Sequence, residues 1–382
     1  MLNSLPPRRR IALAMESPLM QQGGIEALVR VLLAALSNCY EVVLVTADQN
    51  RDELPEDFSK LILTHESWIP SPPSSVAGRA LAASLLRHGI QLAHFHFGMA
   101  FDWASDRFWR CPAYHLAGTG VPCLATNHST MQWLNCGVRP DRPLWQKHLF
   151  QLFAIFSRSL LYKRLQYEIC VSKQSQRQLQ RVFPIFRSKI IQRYHSLLSA
   201  QAPPHDSSPR DIVVLCVGTI ANLKGQPILA EAFARIADRY PGWRLDFIGR
   251  TAIPADEQRV RACARLETGN RMRLLGPMDH QRTLALMQRA SVFVLPSFCE
   301  GLPLALQEAL SCQCACLATN IPGSTELVED GINGLLVPAG DVSALAQALD
   351  RLLADSALRQ RLTANSALAV QHNAMTAPQT VA

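Results

Sequence analysis

The fold class follows from one stretch in the second half of the chain, Val292-Phe-Val-Leu-Pro-Ser-Phe-Cys-Glu-Gly-Leu-Pro-Leu-Ala-Leu-Gln-Glu308. Its first four residues are all apolar, a pattern typical of a buried strand. Gly301 supplies a turn, and Pro303 stands where a helix can begin, because an N–H at the first helical position would have no partner anyway. The stretch therefore predicts a strand, a turn and a helix, which is the repeating unit of parallel α/β folds.

Similar strand and helix patterns alternate along the whole chain, interrupted at 198–210 by a segment rich in Pro, Ser and Asp that predicts a linker. Strands are predicted at 10–15, 41–47, 92–97, 123–127, 168–171 and 189–193, and at 211–217, 244–248, 272–275, 292–295, 316–319 and 335–337. We expect two Rossmann-like, doubly wound α/β domains, 1–197 and 211–382. They should face each other across a cleft in which ligands bind at the carboxyl ends of the strands.

Composition excludes several classes of protein. The 382 residues are 48% hydrophobic and 18% charged, which excludes disorder as the main state. No charge-free apolar run reaches the length of about 18 residues that a membrane-spanning helix needs. The apolar stretch after Arg8–Arg10 is too short for a signal peptide. Eleven cysteines, an odd number, favour reduced thiols and a cytoplasmic location.

The net charge of +8 is concentrated in one part of the sequence. From Arg139 to Arg193 there are twelve Lys or Arg residues and two acidic residues, so this segment carries +10 and the remainder −2. A helix is predicted over 144–166, with apolar residues at three- and four-residue steps. Its other face is occupied or flanked by four basic residues, Lys147, Arg158, Lys163 and Arg164.

Three interpretations of this basic segment differ in their support. A basic amphipathic helix is typical of attachment to an anionic membrane surface, here the inner membrane face. A core helix with solvated charges explains the same pattern equally well. Nucleic acid is disfavoured, because the sequence has no aromatic ladder, zinc finger or helix-turn-helix pattern.

Two carboxylates in the quoted stretch are candidate ligand-binding groups. Glu300 lies in the predicted turn and Glu308 lies inside the helix. A carboxylate accepts two hydroxyl hydrogen bonds at once, so a polyol is a natural partner, and the helix N-terminus suits a diphosphate. Spacing alone still favours the plainer interpretation, a helix-start glutamate and a solvated helical one.

The chain resembles glycosyltransferase family 4 in Glu300-Gly-Leu-Pro, in Glu308-Ala-Leu, and in the string Ala318-Thr-Asn-Ile-Pro-Gly-Ser-Thr-Glu-Leu-Val-Glu-Asp-Gly-Ile-Asn-Gly-Leu-Leu-Val337. The similarity is dense from about residue 211 to residue 354. It implies the GT-B fold and retaining transfer of a sugar from a nucleotide diphosphate sugar. The implied acceptor is a glycan or lipid-linked molecule of cell-envelope polysaccharide or glycolipid biosynthesis. The resemblance implies no cofactor and no metal.

The resemblance also implies roles for individual residues. Glu300 would hold hydroxyls of the donor sugar, Glu308 the ribose, and Lys224 the diphosphate, while His128 would contact the donor sugar. A strand followed by a glycine turn and a lysine before a helix is independently suited to anions. The other residues that we expect to bind the donor are Gly23, Gly24, Gly218, Thr219, Arg250, Gly301, Leu302, Pro303 and Leu304.

One departure from the family pattern affects the expected activity. The family usually has an arginine directly after the glycine of the first turn, where this chain has Thr219. One of two positive charges on the leaving diphosphate is then missing, and Arg250 is a substitute on position alone. The family usually has a helix that returns to the first domain, and little sequence follows Leu362 to form it. Together with Thr219, this motivates an alternative function. In that alternative the protein is a catalytically weakened nucleotide-sugar-binding partner.

The first half carries weaker signals. Gly23 and Gly24 resemble the family's glycine-rich loop near the donor phosphate, although a plain turn explains them equally well. His94 and His96 alternate along a predicted strand and should share one face. With His128 they could ligate zinc, but suitably spaced Cys or carboxylate partners are missing. Cys312, Cys314 and Cys316 are spaced too tightly for a zinc site and are expected to be small buried residues.

Overall fold

A computed structural model describes residues 8–20, 23–48, 51–68, 75–97, 108–128, 144–194, 210–267 and 271–372. The chain divides into two units, formed chiefly by Ile25–Tyr194 and by His195–Thr380. The predicted linker at 198–210 lies outside the described residues except for Arg210. Each unit contains one parallel β-sheet with helices between its strands, as the alternating patterns predict.

The first unit has a seven-stranded sheet in the order β3-β2-β1-β4-β5-β6-β7. Its strands are β1 Arg10–Met15, β2 Glu41–Thr46, β3 Thr64–Ser67, β4 Leu92–Phe97, β5 Cys123–Asn127, β6 Tyr167–Cys170 and β7 Ile190–Gln192. The helices described here are α1 Gly24–Leu36, α2 Glu56–Ser59, α3 Ser75–Arg87, α4 Pro112–Ala117, α5 Leu144–Arg164 and α6 Lys173–Val182.

The second unit has a six-stranded sheet in the order β10-β9-β8-β11-β12-β13. Its strands are β8 Asp211–Val217, β9 Arg244–Ile248, β10 Met272–Leu274, β11 Ala290–Leu295, β12 Ala315–Thr319 and β13 Leu335–Val337. The helices are α7 Gln226–Ala234, α8 Pro254–Glu267, α9 His280–Arg289, α10 Leu304–Ser311, α11 Val342–Ala354 and α12 Ser356–His372.

The apolar runs become strands because both faces of each sheet are covered. In β11 every residue except Ser291 is buried, and all of β12 is buried. Strands buried on both faces read as continuous rather than alternating apolar runs. Each of the twelve predicted strands forms, with bounds within two residues of those predicted.

Both sheets reverse their strand order at one point, which locates the ligand-binding edge. The reversal lies between β1 and β4 in the first unit and between β8 and β11 in the second. Loops that leave adjacent strands on opposite sides of the sheet open a crevice there, at the carboxyl ends of the strands. Within the second unit, the site should therefore combine the loops after β8 and β11.

Two details differ from the sequence-based expectations. The edge strand β3 has the sequence Thr-His-Glu-Ser and was not predicted, because polar residues at a sheet edge give no apolar run. Helix α10 begins at Leu304, and Pro303 precedes it as the N-cap with ψ of 110°, so the prediction that Pro303 opens the helix is wrong by one residue. Within the described residues, no helix is long and apolar enough to cross a membrane.

Candidate functional site

The candidate site lies at the carboxyl edge of the second sheet, on both sides of its reversal point. The loop after β8 carries Gly218 to Lys224, and the loop after β11 carries Ser297 to Pro303. The two loops are joined by a backbone hydrogen bond in which Phe298 N–H donates to the carbonyl of Leu223 at 2.8 Å. The strand order therefore places the loop that carries Lys224 beside the loop that carries Glu300.

The turn after β8 is shaped by one side chain that the sequence analysis missed. Gln226, at the start of α7, is buried, and its Nε2 donates to the carbonyl of Thr219 at 3.0 Å. Gly225 has φ of +69°, and a Cβ there would lie 2.1 Å from the carbonyl oxygen of Pro296. Only glycine allows this approach, which sets the distance between Lys224 and the loop after β11.

Lys224 and Glu300 form an ion pair across the reversal point. Lys224 Nζ lies 2.7 Å from Glu300 Oε1, and Ser297 Oγ donates to the same oxygen at 2.7 Å. The lysine side chain is 36% exposed, whereas the glutamate is 10% exposed. The carboxylate is thus held from two sides, with the ammonium group beside it and open to solvent.

The N-terminus of α10 follows directly after this ion pair. Gly301, Leu302 and Pro303 are buried, and no side chain caps the first turn of the helix. A Cβ at Gly323, in the loop after β12, would lie 2.6 Å from the carbonyl oxygen of Gly301. The uncapped N–H groups of such a helix start are suited to an anion, and this start follows Glu300 by four residues in sequence.

Glu308 lies in the second turn of α10 and has a partner that sequence reasoning missed. Its Oε1 lies 2.8 Å from Nε2 of His280, the first residue of α9. The two side chains are 12% and 27% exposed. No spacing rule connects residues 28 positions apart in sequence, so only the fold reveals this contact.

Thr219 and Arg250 are neighbours through their backbones. Ile220 N–H, next to Thr219, donates to the carbonyl of Arg250 at 2.8 Å. The Arg250 side chain is exposed. The loop after β9 therefore carries a cation beside the turn in which Thr219 stands at the position of the family's arginine. That Arg250 takes over the role of this arginine stays a prediction.

The histidines of the first unit form a compact group. The rings of His94 and His96 are 4.4 Å apart between centroids, as their shared face predicts, and His96 Nδ1 lies 3.0 Å from His128 Nε2. His94 Nε2 contacts Thr126 Oγ1 at 2.7 Å, and burial lowers the pKa of His94 to about 4. Metal-binding groups of three or more His, Cys, Asp or Glu residues are absent from the described part of the chain.

Two further sequence predictions concern small groups. Gly24 opens α1 directly, with Gly23 exposed just before it. Cys312, Cys314 and Cys316 are all buried. Burial raises the pKa of Cys312 to about 11 and that of Cys314 to about 12. The three thiols are thus buried, as the sequence predicts for small core residues.

The structure describes the basic segment from Arg139 to Arg193 from residue 144 onwards. For one of its basic residues, Arg158, the predicted position is wrong. Arg158 is not on the polar face of α5: it is fully buried, and its Nη2 lies 2.5 Å from Oε1 of the fully buried Glu168. Asn127 Nδ2 donates to the same oxygen at 3.0 Å. This pair cancels internally, so the external charge of the segment comes from residues such as Lys163, Arg164 and Arg181, which are exposed.

Helix α5 also presents apolar side chains to solvent. Trp145, Leu149, Leu152 and Phe156 are each more than half exposed, and they follow one face of the helix at four-, three- and four-residue steps. Another face of α5 is buried, through Ala154, Ser157, Arg158, Leu161 and Tyr162. Helix α5 therefore packs on the core with one face and exposes these four apolar side chains on another.

Two family models match successive parts of the chain. Residues 22–194 match the family described as Glycosyltransferase Family 4, and residues 200–368 match the family described as Glycosyl transferases group 1. Together they cover most of the sequence, with their junction at the predicted linker.

Curated relatives are similar over about two fifths of the chain. Alpha-D-kanosaminyltransferase of Streptomyces kanamyceticus is 30% identical over 155 residues, which is 41% of this chain and 40% of that protein. D-inositol 3-phosphate glycosyltransferase of Acidothermus cellulolyticus is 33% identical over 159 residues, 39% of this chain and 35% of that one. The matches thus span less than half the length of these relatives.

Solved structures are similar over nearly the full length. A glycosyltransferase from Rickettsia africae aligns with a TM-score of 0.74 at 16% identity, over 98% of this chain and 96% of that one. Sucrose-phosphate synthase from Thermosynechococcus elongatus aligns with a TM-score of 0.72 at 20% identity, over the same shares. These likenesses show the GT-B fold. The family models assign the first half of the chain to Glycosyltransferase Family 4 and the second half to the group 1 glycosyl transferases.

Proposed function

We propose that this protein transfers a sugar, with retention of configuration, from a nucleotide diphosphate sugar to an acceptor. The observation that carries the proposal is the Lys224–Glu300 pair at the reversal point of the second sheet. It sets a cation and a hydroxyl-binding carboxylate side by side, and the uncapped start of α10 follows directly in sequence. In a diphosphate sugar the phosphates likewise lie next to the hydroxyls of the sugar.

In this proposal the chain's own groups stabilise the leaving diphosphate. Negative charge develops on the diphosphate as its bond to the sugar breaks, and donors already aimed at that charge lower the barrier. Lys224 supplies one positive charge and the N–H groups after Pro303 supply dipoles, so the proposed site needs no metal. Glu300 then holds the sugar and Glu308 the ribose, and the contact of His128 with the sugar stays a prediction.

Anabaena HepE has the same fold and was solved in complex with UDP-glucose. It is 16% identical to this chain and aligns with a TM-score of 0.72. That makes UDP-glucose a reasonable first probe, together with the corresponding ADP and GDP sugars. Ligands that bind only the folded state raise its apparent stability. Thermal-shift measurements with these donors, followed by transfer or hydrolysis assays on the best one, test the proposal directly.

The comparison of wild type with Glu300→Gln separates the two candidate functions. A transferase loses transfer and hydrolysis with this substitution. A nucleotide-sugar-binding partner without activity, the alternative that Thr219 motivates, gives equal background rates for both proteins. Absence of any donor-dependent stabilisation would contradict both.

We propose further that the acceptor is a glycan or a lipid-linked molecule of cell-envelope polysaccharide or glycolipid biosynthesis, reached at the inner membrane face. The support is the exposed apolar face of α5, formed by Trp145, Leu149, Leu152 and Phe156, together with the exposed basic residues of the same unit. Apolar side chains flanked by cations are suited to an anionic lipid surface.

Liposome flotation tests the membrane proposal. Wild type should float with vesicles containing anionic lipid at low salt, and Leu149→Ser combined with Leu152→Ser should weaken flotation strongly. Ile185→Ser is the matched control, because Ile185 is 88% exposed but lies outside α5. Equal flotation of all three proteins, or none by wild type, would overturn the proposal.

A further inference from the structure

Glu308, the proposed ribose-binding residue, is held by a side chain from another helix. His280 Nε2 lies 2.8 Å from Glu308 Oε1, and the glutamate side chain is only 12% exposed. An ionised carboxylate can only accept hydrogen bonds, so this contact requires the proton of the imidazole to be on Nε2. His280 therefore donates to one of the two carboxylate oxygens.

The position of His280 is fixed by the start of α9. Asp279 is the N-cap of that helix, and its side chain accepts from Arg282 N–H at 2.8 Å. Thr283 Oγ1 donates to the carbonyl of Asp279 at 2.8 Å, which also ties the first turn together. Because α9 follows β10 and α10 follows β11, both helices start at the carboxyl edge of the sheet. That shared edge is why the imidazole reaches the carboxylate.

We propose that His280 is a positioning residue, which fixes Glu308 Oε1 so that Oε2 is presented to the ribose hydroxyls of the donor nucleotide. This inference rests on the proposed function. A glutamate that is already oriented loses less side-chain freedom when the ribose binds, so the ribose gains more from the contact. A structural pair would stabilise the fold without any preference for ribose.

The experiment compares nucleotides with and without the hydroxyls. UDP and 2′,3′-dideoxy-UDP, with the matching ADP and GDP pairs, are titrated calorimetrically into full-length wild type, His280→Ala and His280→Gln. Gln281→Ala, at the exposed next position of α9, is the matched control. The readout is the ratio of the two dissociation constants within each nucleotide pair.

Wild type and Gln281→Ala should bind the ribonucleotide about tenfold or more tightly than the dideoxynucleotide. Hydrogen bonds to a charged acceptor contribute that much to affinity. In His280→Ala the ratio should fall to about threefold or less while the affinity for the dideoxynucleotide stays unchanged. His280→Gln should retain the preference, because its amide nitrogen can donate from nearly the place of Nε2.

Two results would overturn the inference and are distinct from each other. If His280→Ala keeps the wild-type ratio, or weakens both nucleotides equally, His280 has a structural role only. If no nucleoside diphosphate binds wild type, the proposed donor site is wrong and the inference falls with it.

Discussion

Lys224 Nζ and Glu300 Oε1 lie 2.7 Å apart, although 76 residues separate them in sequence. The pair bridges β8 and β11, which are neighbours because the strand order reverses between them. Ser297 and the close approach of Gly225 to Pro296 hold the two loops in register. The chemistry proposed for this site therefore depends on backbone geometry as well as on charged side chains.

Lys224→Met should lower the transfer rate by about 100-fold to 1,000-fold, because it removes one donor to the developing charge of the diphosphate. The melting temperature should change little, since Lys224 is partly exposed and Ser297 still donates to Glu300. Steady-state kinetics and thermal unfolding measure the two effects. Lys60→Met, which removes an exposed pair with Glu56, is the control, and equal rates for the two variants would contradict the role of Lys224.

Gly225→Ala should destabilise the second unit far more than Gly276→Ala does. Both glycines have positive φ, +69° and +73°, so alanine is strained at either position by about 1 kcal/mol. Only at position 225 does the new Cβ meet the carbonyl of Pro296, whereas position 276 is open. Urea unfolding of both variants gives the comparison. Similar losses would show that the contact with Pro296 carries no energetic weight.

Arg158→Met should destabilise the first unit by about 3–5 kcal/mol, because it leaves the buried Glu168 without its cation. Adding Glu168→Leu should recover much of that loss, since an apolar pair needs no compensation in the core. Thermal unfolding of both single variants and the double variant measures the coupling. Additive losses would contradict the buried pair.

Stability of the first unit should fall as the pH drops from 7.5 to 5.0, and His94 should contribute about 2 kcal/mol to that fall. Burial lowers the pKa of His94 to about 4, so in this range the unfolded chain binds a proton that the folded chain does not. Its contribution is fully present above the unfolded pKa of about 6.5 and is lost progressively as the pH falls toward 4.

Urea unfolding of wild type and His94→Gln at both pH values measures the contribution of His94. The variant should show the weaker pH dependence, because glutamine can contact Thr126 without titrating. His88→Gln, at the surface pair with Glu66, is the control. An unchanged pH dependence in His94→Gln would contradict the assignment.

The sequence predicted those parts of the fold whose energetics are local. The run Val292 to Leu295 is apolar because β11 is buried on both faces, and such runs are legible without coordinates. β3 escaped prediction because its Thr-His-Glu-Ser sequence lies at a sheet edge. Helix α5 was predicted correctly in extent, but its periodicity could not show that Trp145 and Leu149 face solvent.

The candidate site was predictable where a motif carried it and not where the fold did. Glu300 and Glu308 lie in one stretch whose strand, turn and helix are predicted from the sequence. Lys224 follows a predicted strand and a glycine turn. Ser297 and His280 contribute through contacts made only after the strands and helices assemble. Arg158 was assigned to the surface because a charge is usually solvated, and its buried partner Glu168 lies on a separate strand.

The ion pair makes the proposed donor site selective for ligands that contact Lys224 and Glu300 at the same time. In the structure Lys224 and Glu300 pair with each other, so a phosphate that draws the lysine away removes one of the contacts of the carboxylate. A sugar that occupies the carboxylate alone does the same to the lysine. In the proposed donor site, a molecule that offers anionic oxygen and hydroxyl groups together would replace both contacts, whereas free phosphate or free sugar would replace only one.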